Sequence, residues 1–281
     1  MTIRSILALV TGHEADRLSL ASSMRLAQKL NAFIDVLHIT PDPREALPFP
    51  FQDWTGAFVQ EIKKQAEKKA EALTTQARWL FEEACTETGI NRPDARARFQ
   101  AVVGRISDIV ALRGRVFDLV SLGRASGAGQ TDWQGLLKAA LMESGRPLLI
   151  LPVEPRGPIG RTVALAWNGS AEAGRATSSA LPILAGAQRI LLLVGTEGKP
   201  VSPPPAEVER WLERHGISSR CEVVFLRDSP VGTQLVREAE DAGADLLVMG
   251  AYGHSRLRET VFGGATEAVL QKSTLPVLMA H

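Results

Sequence analysis

Residues 117–123 read FDLVSLG and residues 244–250 read ADLLVMG, so an Asp precedes a short apolar run and a glycine in both places. Two more pairs of segments match in the same order: ILALVTG at 6–12 with VALAWNG at 163–169, and SGRPLLI at 144–150 with STLPVLM at 273–279. Ordered matches of this kind predict a duplicated unit of roughly 140 residues. The segment 152–160 is rich in proline and glycine, which is typical of a linker. We therefore expect domains at residues 1–153 and 160–281.

Short apolar runs alternate with segments of helical periodicity in both units. The apolar runs lie at 4–10, 33–39, 97–103, 117–122 and 147–151, and again at 161–167, 188–194, 220–226, 245–249 and 276–280. Helices are expected near 53–89, 170–184, 204–215, 231–242 and 264–272. Strands that are apolar at consecutive positions are covered on both faces, and strand–helix alternation favours right-handed crossovers. The pattern predicts an α/β fold with two tandem doubly wound, Rossmann-like parallel sheets of five strands each.

Composition narrows the classes of function. The chain has 281 residues, 45% of them apolar and 22% charged, which is ordinary for globular domains. A net charge of +1 and an aromatic fraction of 5% give no basis for a nucleic-acid or membrane partner. Cys85 and Cys221 fall in different halves without metal-site spacing, and no apolar run reaches the ~18 residues of a membrane span. Without a signal peptide at the start, the expected location is cytoplasmic.

The strongest ligand signal is a glycine pattern near the C-terminus. Gly250 and Gly253 follow the fourth apolar run of the second half, and after nine residues Gly263 and Gly264 open a predicted helix. Glycines let backbone N–H groups approach an anion, and a helix N-terminus favours negative charge. The pattern predicts a phosphate-cradling loop. Asn168, which follows the first strand of this half, either caps the next helix or hydrogen-bonds a ligand, and both roles stay open.

These residues make the chain resemble a tandem universal stress protein. The family motif is Gly, two residues, Gly, nine residues, Gly, then Ser or Thr, and Gly250, Gly253 and Gly263 keep its spacing. The resemblance implies an adenine nucleotide, usually ATP, bound by the second half. The metal requirement is left open, and any Mg²⁺ is expected to be held by phosphate oxygens and water. The implied contacts are the base near Ala166, Asn168 and Val194, the ribose beside Met249, and the phosphates along Gly250, Gly253, Gly263, Gly264 and Ala265.

The second half departs from the family pattern at two positions. Gly264 stands where the motif has a hydroxyl, so one phosphate donor worth ~1 kcal/mol is lost. Asn168 replaces an acidic residue.

The first half has lost the motif. Gly123 begins a glycine-containing segment of different spacing, and Asp132 and Trp133 stand near the second glycine pair. Arg124 is expected to be an ordinary surface residue. This half is therefore interpreted as a degenerate partner. The family further implies that the halves pack as a pseudo-dimer through 147–151 and 276–280, and homodimerisation is left open.

Catalytic motifs are missing from the sequence. There is neither a GxSxG elbow nor a Walker lysine, and the five histidines have no metal-ligand spacing, so neither catalytic nor metal-binding residues are predicted. Any ATP hydrolysis is expected to be slow and incidental. The leading hypothesis is a nucleotide-binding regulatory protein of the stress response. The alternatives are a ligand-free scaffold for protein–protein interaction and, more weakly, an adenylating enzyme, since the Ser-Gly-Gly-x-Asp-Ser loop of such enzymes does not follow the first strand.

Overall fold

The computed structural model of this protein describes residues 2–42, 56–90, 96–125, 130–154, 157–195, 201–217, 220–226, 230–251 and 264–281. The strands of the first half are β1 (Ser5–Val10), β2 (Phe33–Thr40), β3 (Ala97–Val103), β4 (Leu119–Gly123) and β5 (Leu148–Leu151). Those of the second half are β6 (Thr162–Trp167), β7 (Arg189–Gly195), β8 (Arg220–Leu226), β9 (Leu246–Gly250) and β10 (Val277–Ala280). Each strand lies within two residues of its predicted bounds.

Helices connect the strands. In the first half they are α1 (Asp16–Leu30), α2 (Gly56–Thr88), α3 (Ile106–Gly114) and α4 (Gln130–Lys138), which continues into a π-helical turn (Ala139–Glu143). In the second half they are α5 (Ala171–Leu184), α6 (Pro205–Arg214), α7 (Val231–Asp241) and α8 (Gly264–Lys272). Among the residues described, none of these helices combines the length and apolar character that a membrane span requires.

The strands form one ten-stranded sheet in the order β3-β2-β1-β4-β5-β10-β9-β6-β7-β8. In each half the chain winds outward over three parallel strands, returns to pair its fourth strand with its first, and then adds the fifth. Strand order thus reverses between β1 and β4, and again between β6 and β9. The predicted α/β fold class, with two tandem doubly wound units of five strands, is confirmed, and the two units join into one continuous sheet.

The two halves meet where β5 pairs with β10. This pairing is antiparallel, and it aligns Leu148 with Met279, Leu149 with Leu278 and Ile150 with Val277. All six side chains are fully buried. The junction therefore lies inside the protein core, and neither strand presents an open edge to solvent.

Helices cover both faces of the sheet. One core cluster joins the sheet to α1, α2, α5 and α6, and the other joins the opposite face to α3, α4, α7 and α8. Strands covered on both sides need apolar residues at consecutive positions. This explains runs such as Ile190–Val194, in which all five residues are buried.

An aspartate at the start of the fourth strand fixes each strand reversal. In the first half, Asp118 Oδ2 accepts hydrogen bonds from Arg4 N at 2.8 Å and Ser5 N at 3.0 Å. In the second half, the Asp245 carboxylate accepts from the backbone N–H groups of Gly160, Arg161 and Thr162. Both copies of the repeat thus use the same carboxylate to hold the first strand beside the fourth. This is the physical reason for the Asp that the two heptapeptides share.

Candidate functional site

The candidate site lies at the carboxyl ends of β6 and β9. These strands are neighbours, with Val163 opposite Leu246 and Leu165 opposite Val248. After β6 the chain enters α5 on one face of the sheet, whereas after β9 it leads to α8 on the other face. Open α/β sheets bind ligands in the crevice at such a reversal of strand order, and on this ground the candidate site is assigned to the carboxyl ends of β6 and β9.

Gly250 brings the end of β9 against the first turn of α5. A Cβ atom at this position would lie 2.6 Å from Ala173 N and 2.7 Å from the carbonyl carbon of Glu172. No side chain fits at such distances from backbone atoms. A glycine is therefore required here for close packing, and the end of β9 lies against the N-terminal turn of α5.

The turn after β6 is held by local hydrogen bonds. Asn168 is exposed, and its Oδ1 accepts from Ser170 N at 3.1 Å. Ser170 is the N-cap of α5, and its Oγ accepts from Ala173 N at 3.2 Å. Helix capping, one of the two roles considered for Asn168, thus belongs to Ser170. A ligand contact by Asn168 stays a prediction.

The segment after β7 packs onto the same turn. Gly169 has φ +76°, and a Cβ there would lie 2.3 Å from Ser202 O. The indole Nε1 of Trp167 donates to Pro203 O at 2.9 Å. Residues 201–203 therefore cover the β6 end of the crevice, next to the position predicted for the base.

The first turn of α8 lies at the same edge of the sheet. An added Cβ at Gly232, in the first turn of α7, would lie 2.7 Å from Ala265 Cα, so the two helix starts are in contact. Gly264 is exposed, Ala265 is half-buried, and Thr266 is buried. The first N–H groups of a helix have no partners within the helix, so they are available to an acceptor from outside. Gly253 and Gly263, the other two glycines of the motif, lie outside the described residues.

Two predicted site residues have buried side chains. Val194 belongs to the core on the α5 face of the sheet, and Met249 belongs to the core on the α8 face. Ala166 is half-buried and packs against the second of these cores. Any contact of Val194 or Met249 with a ligand at the strand ends must therefore be made by backbone atoms.

The corresponding turn of the first half contains a buried carboxylate that the sequence analysis did not single out. Asp16 Oδ2 accepts from Thr11 N at 2.8 Å, Gly12 N at 2.8 Å and Thr11 Oγ1 at 3.0 Å. Burial raises the pKa of the Asp16 carboxyl above its ordinary value, and the hydrogen bonds from Thr11 and Gly12 partly oppose this rise. The available signal was an acidic residue in the first turn of a helix, four positions after Gly12.

Side chains also fill the end of β4. A Cβ at Gly123 would lie 2.3 Å from Ser19 Oγ, and Trp133 Nε1 donates to Gly123 O at 2.7 Å. The indole that the sequence placed near this site therefore closes over the strand end.

The expectation that Arg124 is a plain surface residue is wrong. Its guanidinium is partly buried and donates to Val269 O, near the end of α8 in the other half, at 3.2 Å. Burial lowers the pKa of Arg124, and Glu240 opposes this shift. Arg124 reaches α8 because the antiparallel β5–β10 pair brings the ends of the two halves together.

The residues that the structure describes offer no candidate metal centre. Within them, no three His, Cys, Asp or Glu side chains are grouped so as to hold a metal ion.

Part of this chain matches a known protein family in sequence. Residues 194–281 match the model of the Universal stress protein family. Over its whole length the chain is similar to Universal stress protein Slr1230 from Synechocystis, at 27% identity, with 98% of this chain and 99% of that protein aligned. A 46-residue stretch is 44% identical to Universal stress protein MJ0577 from Methanocaldococcus jannaschii, covering 16% of this chain and 28% of that protein.

A solved structure extends the likeness to the fold. The crystal structure of a universal stress protein from Archaeoglobus fulgidus superposes with a TM-score of 0.67, at 15% identity, over 99% of this chain and 96% of that chain. The chain therefore has the universal stress protein fold along its whole length, and residues 194–281 also match the sequence of that family.

Proposed function

We propose that this chain is a tandem universal stress protein, and that its second half binds an adenine nucleotide, with ATP as the leading candidate. Occupancy of this site would regulate its conformation or choice of partner during stress. The observation that supports the proposal is the reversal of strand order between β6 and β9, where Gly250 packs against α5 and the N-terminus of α8 lies at the same edge. Its setting is taken to be the cytoplasm.

The phosphates are assigned to the turn from Gly250 to Ala265. The spacing of Gly250, Gly253 and Gly263 matches the family motif, and it leads directly into α8. The N-terminus of α8 offers backbone N–H groups and a favourable dipole to an anion. Mg²⁺, where it takes part, would be held by phosphate oxygens and water, because the described residues contain no group of three potential metal ligands.

The base and ribose are assigned to the ends of β6 and β7. Asn168 is exposed at the turn after β6, and its Oδ1 already accepts a hydrogen bond from Ser170 N. The remaining amide N–H groups suit an acceptor on a base or ribose. Residues 201–203 cover Gly169 and supply a neighbouring wall for a flat group.

The first half and the join between the halves complete the proposal. Residues 1–153 and 160–281 are proposed as the two domains, with the first half degenerate as a ligand site. The β5–β10 pairing supports an intramolecular pseudo-dimer, since it joins equivalent strands in antiparallel register. A ligand-free scaffold is the second candidate function, and it is favoured by Gly264, which removes the motif's hydroxyl.

Isothermal titration with ATP, ADP and AMP tests the proposal. The wild-type chain is expected to bind, and Gly253→Val to bind much more weakly, because a branched side chain blocks close approach of the loop to phosphate. Gly135→Val is the matched control, since Gly135 is exposed in α4 of the first half. Equal binding by Gly253→Val would reject the site assignment, whereas no binding by the wild type would favour the scaffold.

A further inference from the structure

We infer that the first half supplies its own anion. The Asp16 carboxylate permanently occupies the backbone turn at the end of β1, and it closes this half to ligands from solution. This inference stands whether or not the second half binds nucleotide. It concerns only groups in the first half and the corresponding turn of the second.

Three donors converge on one oxygen of Asp16. The N–H groups of Thr11 and Gly12 lie 2.8 Å from Oδ2, and the Thr11 hydroxyl lies 3.0 Å from it. Asp16 is only 4% exposed. Buried backbone N–H groups need an acceptor, and hydrogen bonds to a charged acceptor are the stronger ones. The turn is thus built around an oxyanion that the chain itself supplies.

The repeat identifies the corresponding position in the second half. Gly12 matches Gly169 in the duplicated segments, so Asp16, four residues after Gly12, matches Ala173. Ala173 has no acceptor in its side chain. Both glycines are covered in the same way, because a Cβ at Gly12 would lie 2.4 Å from Leu73 O and one at Gly169 would lie 2.3 Å from Ser202 O. The second half has a buried carboxylate one position earlier, at Glu172, but that side chain pairs with Arg175 at 2.8 Å. The two turns therefore differ in where the carboxylate lies and in what it binds.

Neighbouring side chains occupy the adjoining end of β4. Ser19 Oγ donates to the backbone carbonyl of Asp16 at 3.0 Å and lies where a Cβ of Gly123 would be. The Trp133 indole caps the carbonyl of Gly123. At the matching end of β9, Gly250 instead packs on the backbone of Ala173. The internal carboxylate and these contacts together exclude a second anion.

Chemical rescue tests the inference. Asp16→Ala removes the acceptor and leaves a space in which formate, the carboxylate that the substitution deletes, can bind the Thr11 and Gly12 amides. The full-length variant is expected to unfold about 5–10 °C below the wild type, because one buried and two partly buried donors lose their acceptor. Sodium formate at about ten times its dissociation constant should then raise the midpoint by about 3–5 °C relative to sodium chloride of equal ionic strength.

The controls separate rescue from a general salt effect. The wild type and Asp241→Ala, which alters an exposed aspartate in α7, should respond equally to formate and chloride. Asp16→Asn keeps an oxygen at the turn and should lose less stability and show no rescue. If Asp16→Ala is too unstable to purify, Asp16→Ser takes its place, since its short hydroxyl leaves the amides open.

Two results would overturn the inference. One is a folded Asp16→Ala or Asp16→Ser variant whose midpoint responds to formate no more than that of the wild type. The other is a midpoint for Asp16→Ala equal to that of Asp241→Ala, which would mean that the turn does not need its carboxylate.

Discussion

Replacing Gly264 with Ser is expected to tighten nucleotide binding, because it restores the hydroxyl that the family motif has at this position. Gly264 is exposed in the first turn of α8, and a Cβ added there would have no described atom within 4 Å. The new side chain therefore fits among the described residues without displacing them.

The size of the effect follows from the bond that is restored. A hydrogen bond to a charged acceptor contributes about 1.5–3 kcal/mol, and about 1.4 kcal/mol corresponds to a tenfold change in affinity. Because Gly264 is exposed, water competes for the same acceptor, and the lower end applies. The Kd for ATP should fall about tenfold.

Gly264→Ala is the matched control in this experiment. It adds the same Cβ but lacks the hydroxyl, and its helix propensity differs from that of Ser by only about 0.5 kcal/mol. Isothermal titration of the wild type, Gly264→Ala and Gly264→Ser with ATP at one ionic strength separates the two effects. Equal affinities for the Ser and Ala variants would refute the placement of the phosphate at the start of α8.

Four further predictions concern the fold. Gly250→Ala should lower the thermal midpoint, with a loss of about 1–3 kcal/mol from overpacking against Ala173 N, while Gly174→Ala, whose Cβ meets nothing within 4 Å, should not. Asp118→Ala and Asp245→Ala should each cost about 1–3 kcal/mol in denaturant unfolding, since both carboxylates hold backbone N–H groups. Burial raises the pKa of Asp118, but the hydrogen bonds from Arg4 and Ser5 outweigh it, and the net pKa is lowered. Because the pKa of Asp118 is lower in the folded than in the unfolded state, its ionised carboxylate stabilises the fold at pH values above the unfolded-state pKa. This contribution should be present at neutral pH and lost as the pH falls below about 4. A loss of stability on raising the pH would contradict the prediction. Burial raises the pKa of the Cys85 and Cys221 thiols to about 11, so both should react slowly with a thiol reagent at neutral pH in the folded protein and quickly after unfolding.

The fold could be predicted from the sequence because the features that determine it are local in the chain. Buried strands such as Ile190–Val194 need continuous apolar runs, and the repeated Asp at 118 and 245 marks the start of the strand that returns to the centre. Right-handed crossovers restrict how each parallel strand can follow the one before it. Two tandem five-stranded sheets could therefore be predicted without any tertiary information.

The details of the site could not be predicted to the same degree. In the sequence, Asp16 is indistinguishable from an ordinary acidic residue at the start of a helix. Only the folded turn places it against the amides of Thr11 and Gly12. Arg124 contacts α8 only because β5 and β10 bring the halves together. The burial of Val194 and Met249 depends on which face each side chain takes, and on the helices packed there.

A crystal structure of the full chain grown with ATP would settle where the nucleotide binds. We predict one nucleotide per chain at the carboxyl ends of β6 and β9, with its phosphates within hydrogen-bonding distance of the backbone N–H groups at Gly264 and Ala265. A nucleotide bound instead beside Thr11 and Gly12, or an empty crevice at saturating ATP, would contradict both the site and its assignment to the second half.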